Sequence, residues 1–316
     1  MPSSWLALGA AALAGQAAAF PALADQYAAQ SSQKEKRVNG ISPGFDAEAQ
    51  RIDVSGLNAL ANHGNNFAVV RSQWDALFAK QSGVPDAQSN YGLGLLTDFR
   101  VERFQQSISS NPYFFNAPFS GVVVQPAAYT FIYRFMANKS AENPEGVLTK
   151  EVLKSFFGFT GPDDDMVHNP GWERIPENWY KRALGDEYTI PFYALDLNAA
   201  ALQHPQFLDI GGNTGTTNSF TPIDLQNLTG GLYNAQTLLD GNNLACFGFQ
   251  AAVQFAPDLL KGLVKDLAGA LGQLGDALTS ALNGLGCPQL GGEAWDEGSL
   301  DQFPGWTKLK DDGTYP

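Results

Sequence analysis

Three histidines, two cysteines and a few clustered carboxylates are the residues of this chain that could do chemistry. His63, His168 and His204 are far apart, and none has a second histidine at the helical spacing a zinc protease uses. No Gly-x-Ser-x-Gly elbow presents a serine nucleophile. Asp186-Glu187 falls at a predicted helix start, where carboxylates favour the helix dipole rather than acid–base work. Asp163 to Asp165 lacks the alternating ligands and terminal glutamate of a calcium loop and reads as a solvated connection. Gly211-Gly212-Asn213-Thr214-Gly215 is followed by no Lys-Ser/Thr pair, so its likeness to a phosphate loop is weak. These residues give no catalytic set and no metal set.

Cys246 and Cys287 are most simply a disulfide if the chain is exported. Closing that loop contributes about 4 kcal/mol in the chain-entropy picture. A thiolate ligand or nucleophile is the other reading, although neither cysteine lies on a recognisable catalytic motif. Export itself is expected from the N-terminus. Trp5 to Gly15 is an apolar run rich in Ala and Leu, and Ala17-Ala18-Ala19 or Leu23-Ala24 supplies a cleavage site. Residues 1–24 therefore read as a signal peptide, with a secreted, extracellular product and no membrane attachment after cleavage. Asn138-Lys139-Ser140 and Asn227-Leu228-Thr229 are then N-glycosylation sequons.

The elements that must hold these residues are helical. Ser55 is a good N-cap, Leu57, Leu60 and Ala61 follow at helical spacing, and Gly64 suits a C-terminal stop. Phe67 to Phe78 could line a helix face capped by Ser72. Val101, Phe104 and Ile108 predict a helix from Thr97 to Asn111-Pro112, with Arg100 and Arg103 on its other faces. Another helix is predicted from Pro126, inside an aromatic stretch that reads either as core or as the wall of an apolar pocket around Phe114 to Phe135. Thr149 caps a third, and Asp186 precedes a fourth that stops at His204-Pro205. Residues 211–231 read as loop, Leu232 to Phe255 as helix, and Leu259 to Leu285 as a leucine-striped helix. The tail after Pro288 reads as loop.

Length and composition bound the rest. The chain has 316 residues, 44% of them hydrophobic, with a formal net charge of −13. That balance excludes a nucleic-acid binder, which needs clustered Lys and Arg. No solenoid-period repeat and no useful run of strand alternation is present. The fold class is mainly α, one domain. Its divisions are the signal peptide, a propeptide-like or disordered arm at 25–44, a helical domain at 45–290 and a tail at 291–316.

Several segments together resemble the heme-thiolate peroxidases, the chloroperoxidase and unspecific peroxygenase family of fungi. They are Ala59-Leu-Ala-Asn-His-Gly64, Arg103-Phe-Gln-Gln-Ser-Ile108 and Asn111-Pro-Tyr-Phe-Phe115. Ala137-Asn-Lys-Ser140, Glu173-Arg-Ile-Pro-Glu-Asn-Trp-Tyr180 and the two late cysteines join them. The resemblance implies a helical heme-peroxidase-like fold around heme b. It also implies hydrogen peroxide as oxidant and a small organic substrate or a halide as its partner, the outcome being halogenation or oxygenation. In that chemistry an axial thiolate pushes electron density toward O–O cleavage and a distal acid–base group moves the peroxide proton. Cys246 and Cys287 match the family's late disulfide.

The chain departs from this pattern where the iron would be held. The family places Pro-Cys-Pro directly before Gly-Leu-Asn, but here Asp53-Val54-Ser55 stands there. Val54 occupies the expected ligand position, and valine cannot ligate iron. His63 is the alternative ligand. The acidic segment that binds a cation beside a heme propionate is missing, so the fold is expected to be incomplete. Phe119 to Pro126, which matches the stretch carrying the distal Arg and Glu of peroxygenases, contains neither. The expected activity is therefore impaired heme-thiolate chemistry. The competing expectation is a non-catalytic secreted glycoprotein or apolar-ligand binder.

Overall fold

The computed structural model describes residues 70–183, 185–241, 243–260, 287 and 295–307. Val54, His63, the helix expected at 55–64, the signal peptide, the arm and most of the leucine stripe lie outside the described residues. In chain order the elements are α1 (Arg71–Ala79), α2 (Leu93–Ser110), β1 (Phe115–Asn116), and a π-helical turn (Ser120–Val124) running into α3 (Gln125–Met136). Then come α4 (Lys150–Phe156), β2 (Phe159–Thr160), β3 (Val167–His168) and α5 (Ile190–Gln203). Last are β4 (Gly211–Gly212), β5 (Thr221–Pro222), α6 (Leu225–Leu228) and α7 (Asn243–Leu260). The protein is mainly α-helical, as its periodicity predicts. No helix among the described residues is long and apolar enough to cross a membrane.

The chain divides into two compact units, with boundaries inside α2 at Arg100 and inside α3 at Ala127. The central unit holds the described residues up to Arg100 and those from 128 to 188. In α1 the apolar spacing buries Trp74, Leu77 and Phe78. Ser72 is not its cap: the helix begins at Arg71, and Val70 precedes it with no side-chain cap bond. The Trp74 ring lies flat on Phe159 with centroids 4.1 Å apart, and Phe159 in turn stacks on His168 at 4.7 Å. Tyr91 is fully buried, and its hydroxyl donates to the Phe78 carbonyl at 3.0 Å. Thr149 caps α4 as expected, its hydroxyl accepting from the Val152 N–H at 3.2 Å, a contribution of about 1 kcal/mol.

Two buried lysines fasten this unit. Lys150 donates to the Val84 carbonyl at 2.8 Å and to Asp163 at 2.6 Å. Lys154 reaches the same carboxylate at 2.7 Å. Asp163, though exposed, is thus a clasp; burial raises its carboxyl, but the hydrogen bonds and charges of Lys150 and Lys154 together outweigh that and hold it below the usual range. Lys139, only 2% exposed, donates to the Glu145 carbonyl at 2.6 Å.

The carboxyl-terminal unit holds residues 101–127 and the described residues from 189 onward. The Gly-rich segment expected to be wholly loop contains β4, β5 and α6. β4 pairs antiparallel with both β1 and β5, Phe115 lying opposite Gly212 and Gly211 opposite Pro222. Asn213 is fully buried and donates to the Ile108 and Asn111 carbonyls at 2.8 and 2.7 Å, fixing the end of α2. α2 ends before Asn111-Pro112 as predicted but starts earlier, at Leu93. Thr97 is interior to it, its hydroxyl bonded back to the Leu93 carbonyl at 2.8 Å. Arg100, placed by its spacing on an outer face, is buried.

α7 starts at Asn243, eleven residues later than the apolar run from Leu232 suggests. Cys246 on α7 forms a disulfide with Cys287. The segment after Pro288 is not plain loop. It carries a 3-10 turn at Glu297–Leu300, and Trp295, Leu300, Phe303 and Trp306 are all buried. Phe303 and Trp306 pack on Phe115 with centroids 5.5 and 5.7 Å away. Gly305 permits this approach, since a Cβ there would stand 2.1 Å from the Tyr113 carbonyl oxygen.

Candidate functional site

The stretch expected to carry a distal Arg and Glu forms the π-helical turn. Its widened pattern is carried by the Val122 N–H donating to the Ala117 carbonyl at 3.2 Å and the Val124 N–H donating to Phe119 at 3.1 Å. Two residues explain why the chain widens here. Pro126 has no N–H to return to the Val122 carbonyl. Gly121 is pressed so closely on Asn116 that an added Cβ would meet its Oδ1 at 2.2 Å. Asn116 is held in turn by donating to the Asp209 carbonyl at 2.9 Å. π-turns inside helices occur frequently at functional sites because they swing carbonyls out of the helical ladder. Here the Val123 carbonyl accepts a bond from the Tyr193 hydroxyl on α5.

Beside this turn lies a cavity of about 150 Å³. Phe119 and Val123 of the π-turn line it, opposite Tyr193 and Leu197 of α5 and Leu244 and Phe249 of α7. The space exists because the helices turn small residues toward it: Ala194 on α5, and Ala245, Gly248 and Ala252 on α7. The spacing of those last three, at three and four, is the one sequence signal that could have located the site. Of the side chains lining it, only Tyr193 carries a polar atom, and that hydroxyl is spent on Val123. A pocket of this volume with carbon walls has room for a molecule the size of benzene.

The stretch expected to form an apolar wall, Phe114 to Phe135, contributes to this cavity in part. Within that stretch only Phe119 and Val123 line the cavity. Phe131 and Phe135 are 40% and 46% exposed on α3 and meet Tyr188 edge-on. Aromatic density does not specify which face a helix turns inward.

The other expected residues are dispersed. His168 belongs to the stack on Phe159 in the central unit, and His204 follows α5 in the carboxyl-terminal unit, its ring 5.5 Å from Phe207. Burial pushes the Asp209 carboxyl up, as a general acid would require, but Asp209 does not line the cavity. The central unit has its own polar cleft of about 880 Å³, bordered by Glu151, Lys154, Arg174 and Glu177. Its Lys154 is already committed to Asp163. Asn138 lies in the central unit and Asn227 in the carboxyl-terminal unit.

Do these residues fit the heme that the resemblance implies? A heme needs an axial donor and polar partners for two propionates. Both cysteines are consumed in the disulfide. Among the described residues no group of three or more His, Cys, Asp and Glu side chains is placed to hold a metal. The cavity offers no donor, and its volume lies below the roughly 300–1,000 Å³ of ordinary cofactor pockets. The described residues do not make a heme site.

Comparison with known proteins finds similarity to peroxidases. Residues 64–184 match the family described as Peroxidase, family 2. The chain is 40% identical over 222 residues to the dothistromin biosynthesis peroxidase dotB of Dothistroma septosporum, covering 70% of this chain and 52% of that protein. It is 37% identical over 208 residues to the aromatic peroxidase fscJ of Fusarium equiseti, covering 64% and 47%. The chain spans about half the length of the curated relatives it matches.

Proposed function

We propose that this chain is a secreted fungal-type family 2 peroxidase relative of the heme-thiolate kind. Its ancestral chemistry is peroxide-dependent halogenation or oxygenation of a small organic substrate. We further propose that this chain is impaired in that chemistry. The family match and the two peroxidase relatives support the first part. The second rests on Val54 at the expected ligand position and on the carbon-only cavity. The observation that carries the reading is that cavity: it adjoins the stretch corresponding to the family's distal pair, and it offers room for an apolar molecule but no group to move a proton.

Heme b remains the cofactor expected from the family, and hydrogen peroxide with a halide or small organic molecule the expected reactants. The test is to add ferric heme to the purified chain, reduce it and supply carbon monoxide. The expected outcome is a spectrum without the red-shifted Soret band of thiolate ligation, and peroxide-dependent turnover no greater than that of free heme. A thiolate-type band, or turnover above free heme, would overturn the impairment.

A second reading, a binder of small apolar molecules without redox chemistry, is favoured by the apolar lining of the same cavity. Benzene or xenon titrated into the protein would shift the methyl resonances of Val123 and Leu197 under that reading. Unchanged resonances there would sink it.

A further inference from the structure

The two sequons have the same tripeptide logic, yet the fold uses them in opposite ways. At Asn138 the carboxamide is part of the structure. Its Oδ1 accepts from the Tyr180 N–H at 2.8 Å, and its Nδ2 donates to the Asn178 carbonyl at 3.4 Å. Its backbone exchanges two bonds with Val147, each 2.9 Å. The next residue, Lys139, is buried and donates its own N–H to the Tyr180 carbonyl at 3.0 Å. Ser140 accepts from the Asn143 N–H at 3.0 Å. All three residues of this sequon are thus tied into the crossing of two chain segments.

Asn227 stands differently. It is exposed on the short helix α6, between buried Leu225 and Leu228 that turn the other way. Asp224 caps that helix through the Gln226 N–H at 2.9 Å. The Thr229 hydroxyl is buried, donates to the Leu225 carbonyl at 2.8 Å and accepts from the Tyr233 N–H at 3.0 Å. That hydroxyl is therefore available to a transferase only before this turn closes. Once a glycan is attached, however, the Asn227 side chain can carry it into solvent without breaking any of these bonds.

We propose that Asn227 is the N-glycosylated residue of the folded, exported protein and that Asn138 is not. The donor is an oligosaccharide on a polyprenyl diphosphate. A bond forms between Asn227 Nδ2 and the anomeric carbon, the bond from that carbon to the diphosphate oxygen breaks, and Nδ2 loses one proton as the lipid diphosphate leaves. The same sugar on Asn138 Nδ2 would seat itself on the Asn178 carbonyl and disturb the pairing with Tyr180. Chains modified there are lost at the folding step.

The test directs the chain into the secretory route of a yeast with a host leader, so that it does not depend on the native N-terminus. Soluble product is deglycosylated enzymatically in heavy-oxygen water, which marks each occupied asparagine as labelled aspartate for peptide mapping. Label at Asn227 and none at Asn138 is the expected result. Label at Asn138 in the soluble, folded fraction, or an unlabelled Asn227, would overturn the proposal. Asn227→Gln is expected to abolish the enzyme-sensitive gel shift while leaving the thermal midpoint of the enzymatically deglycosylated protein unchanged. Asn138→Gln is expected to keep the shift and lower that midpoint. Loss of the shift in Asn138→Gln, with Asn227 still present, would likewise count against the assignment.

Discussion

The two units solve the problem of an aromatic-rich interior in opposite ways. The central unit fills its space: Trp74 lies flat on Phe159, Phe159 on His168, and Tyr91 and Lys150 close the remaining gaps with bonds to carbonyls. The carboxyl-terminal unit keeps a hole of about 150 Å³ between α5, α7 and the π-turn. Side chains in the central unit are therefore selected for contact, and those around the cavity for the space they leave.

The comparison breaks most visibly at Trp74. Trp74→Ala is expected to lower unfolding free energy by about 3–5 kcal/mol, the range for emptying a packed aromatic site. Urea denaturation measures it, and a loss under about 1 kcal/mol would show that the stack is not what holds its unit together. Next comes the disulfide. Cys246→Ala with Cys287→Ala is expected to cost about 2–4 kcal/mol, read as a reduced thermal midpoint, while benzene binding in the cavity persists at temperatures where the protein is folded.

A pH experiment sharpens the contrast from the central side. Burial pushes the Lys139 ammonium down to about 7 from its ordinary 10.5, with Arg182 and Arg134 adding to the effect and Glu145 and Asp186 opposing it. Below pH 7 the lysine is charged in both folded and unfolded chains, and above 10.5 in neither. Between those limits the unfolded chain binds more protons, so this lysine makes stability rise with pH across that window. Lys139→Met is expected to flatten that rise, measured as midpoint against pH; an unchanged slope would assign the rise to other groups.

The smallest expected effects lie around the cavity. Gly248→Leu fills the void and should abolish benzene binding. Gly248→Ala gains up to about 1 kcal/mol of helix propensity. Its new methyl, 3.4 Å from Val123 Cγ2, offsets part of that gain. A net change within about 1 kcal/mol is expected by thermal melting, and a larger loss would mean the cavity wall is rigid.

Much of the fold was legible because its signals are local. The Thr149 cap, the Pro126 helix start and the Asn111-Pro112 stop each depend on a few neighbouring residues and appear where expected. Ser72 misled because hydroxyl residues also occupy first turns, and the chain entering at Val70 decides the start. β4 and β5 were hidden because two-residue strands in a Gly-rich segment have no alternation to read; β4 takes its other partner, β1, from about a hundred residues away. The cavity was only partly legible. Phe119 and Val123 lie in the stretch singled out for an apolar pocket, but the other walls come from helices apolar on nearly every face, where periodicity cannot say which side is empty.

The late tryptophans also set an order of events. Phe115 leaves the ribosome about 190 residues before Phe303 and Trp306, which at 5–20 residues per second is roughly 10–40 s. Throughout that interval the nascent carboxyl-terminal unit has an unfilled socket where those rings will sit. Vectorial synthesis alone cannot complete it, whereas the described residues of the central unit are all synthesised by Tyr188. The chain is thus expected to emerge with one half able to consolidate early and the other dependent on chaperone shelter until its last rings arrive.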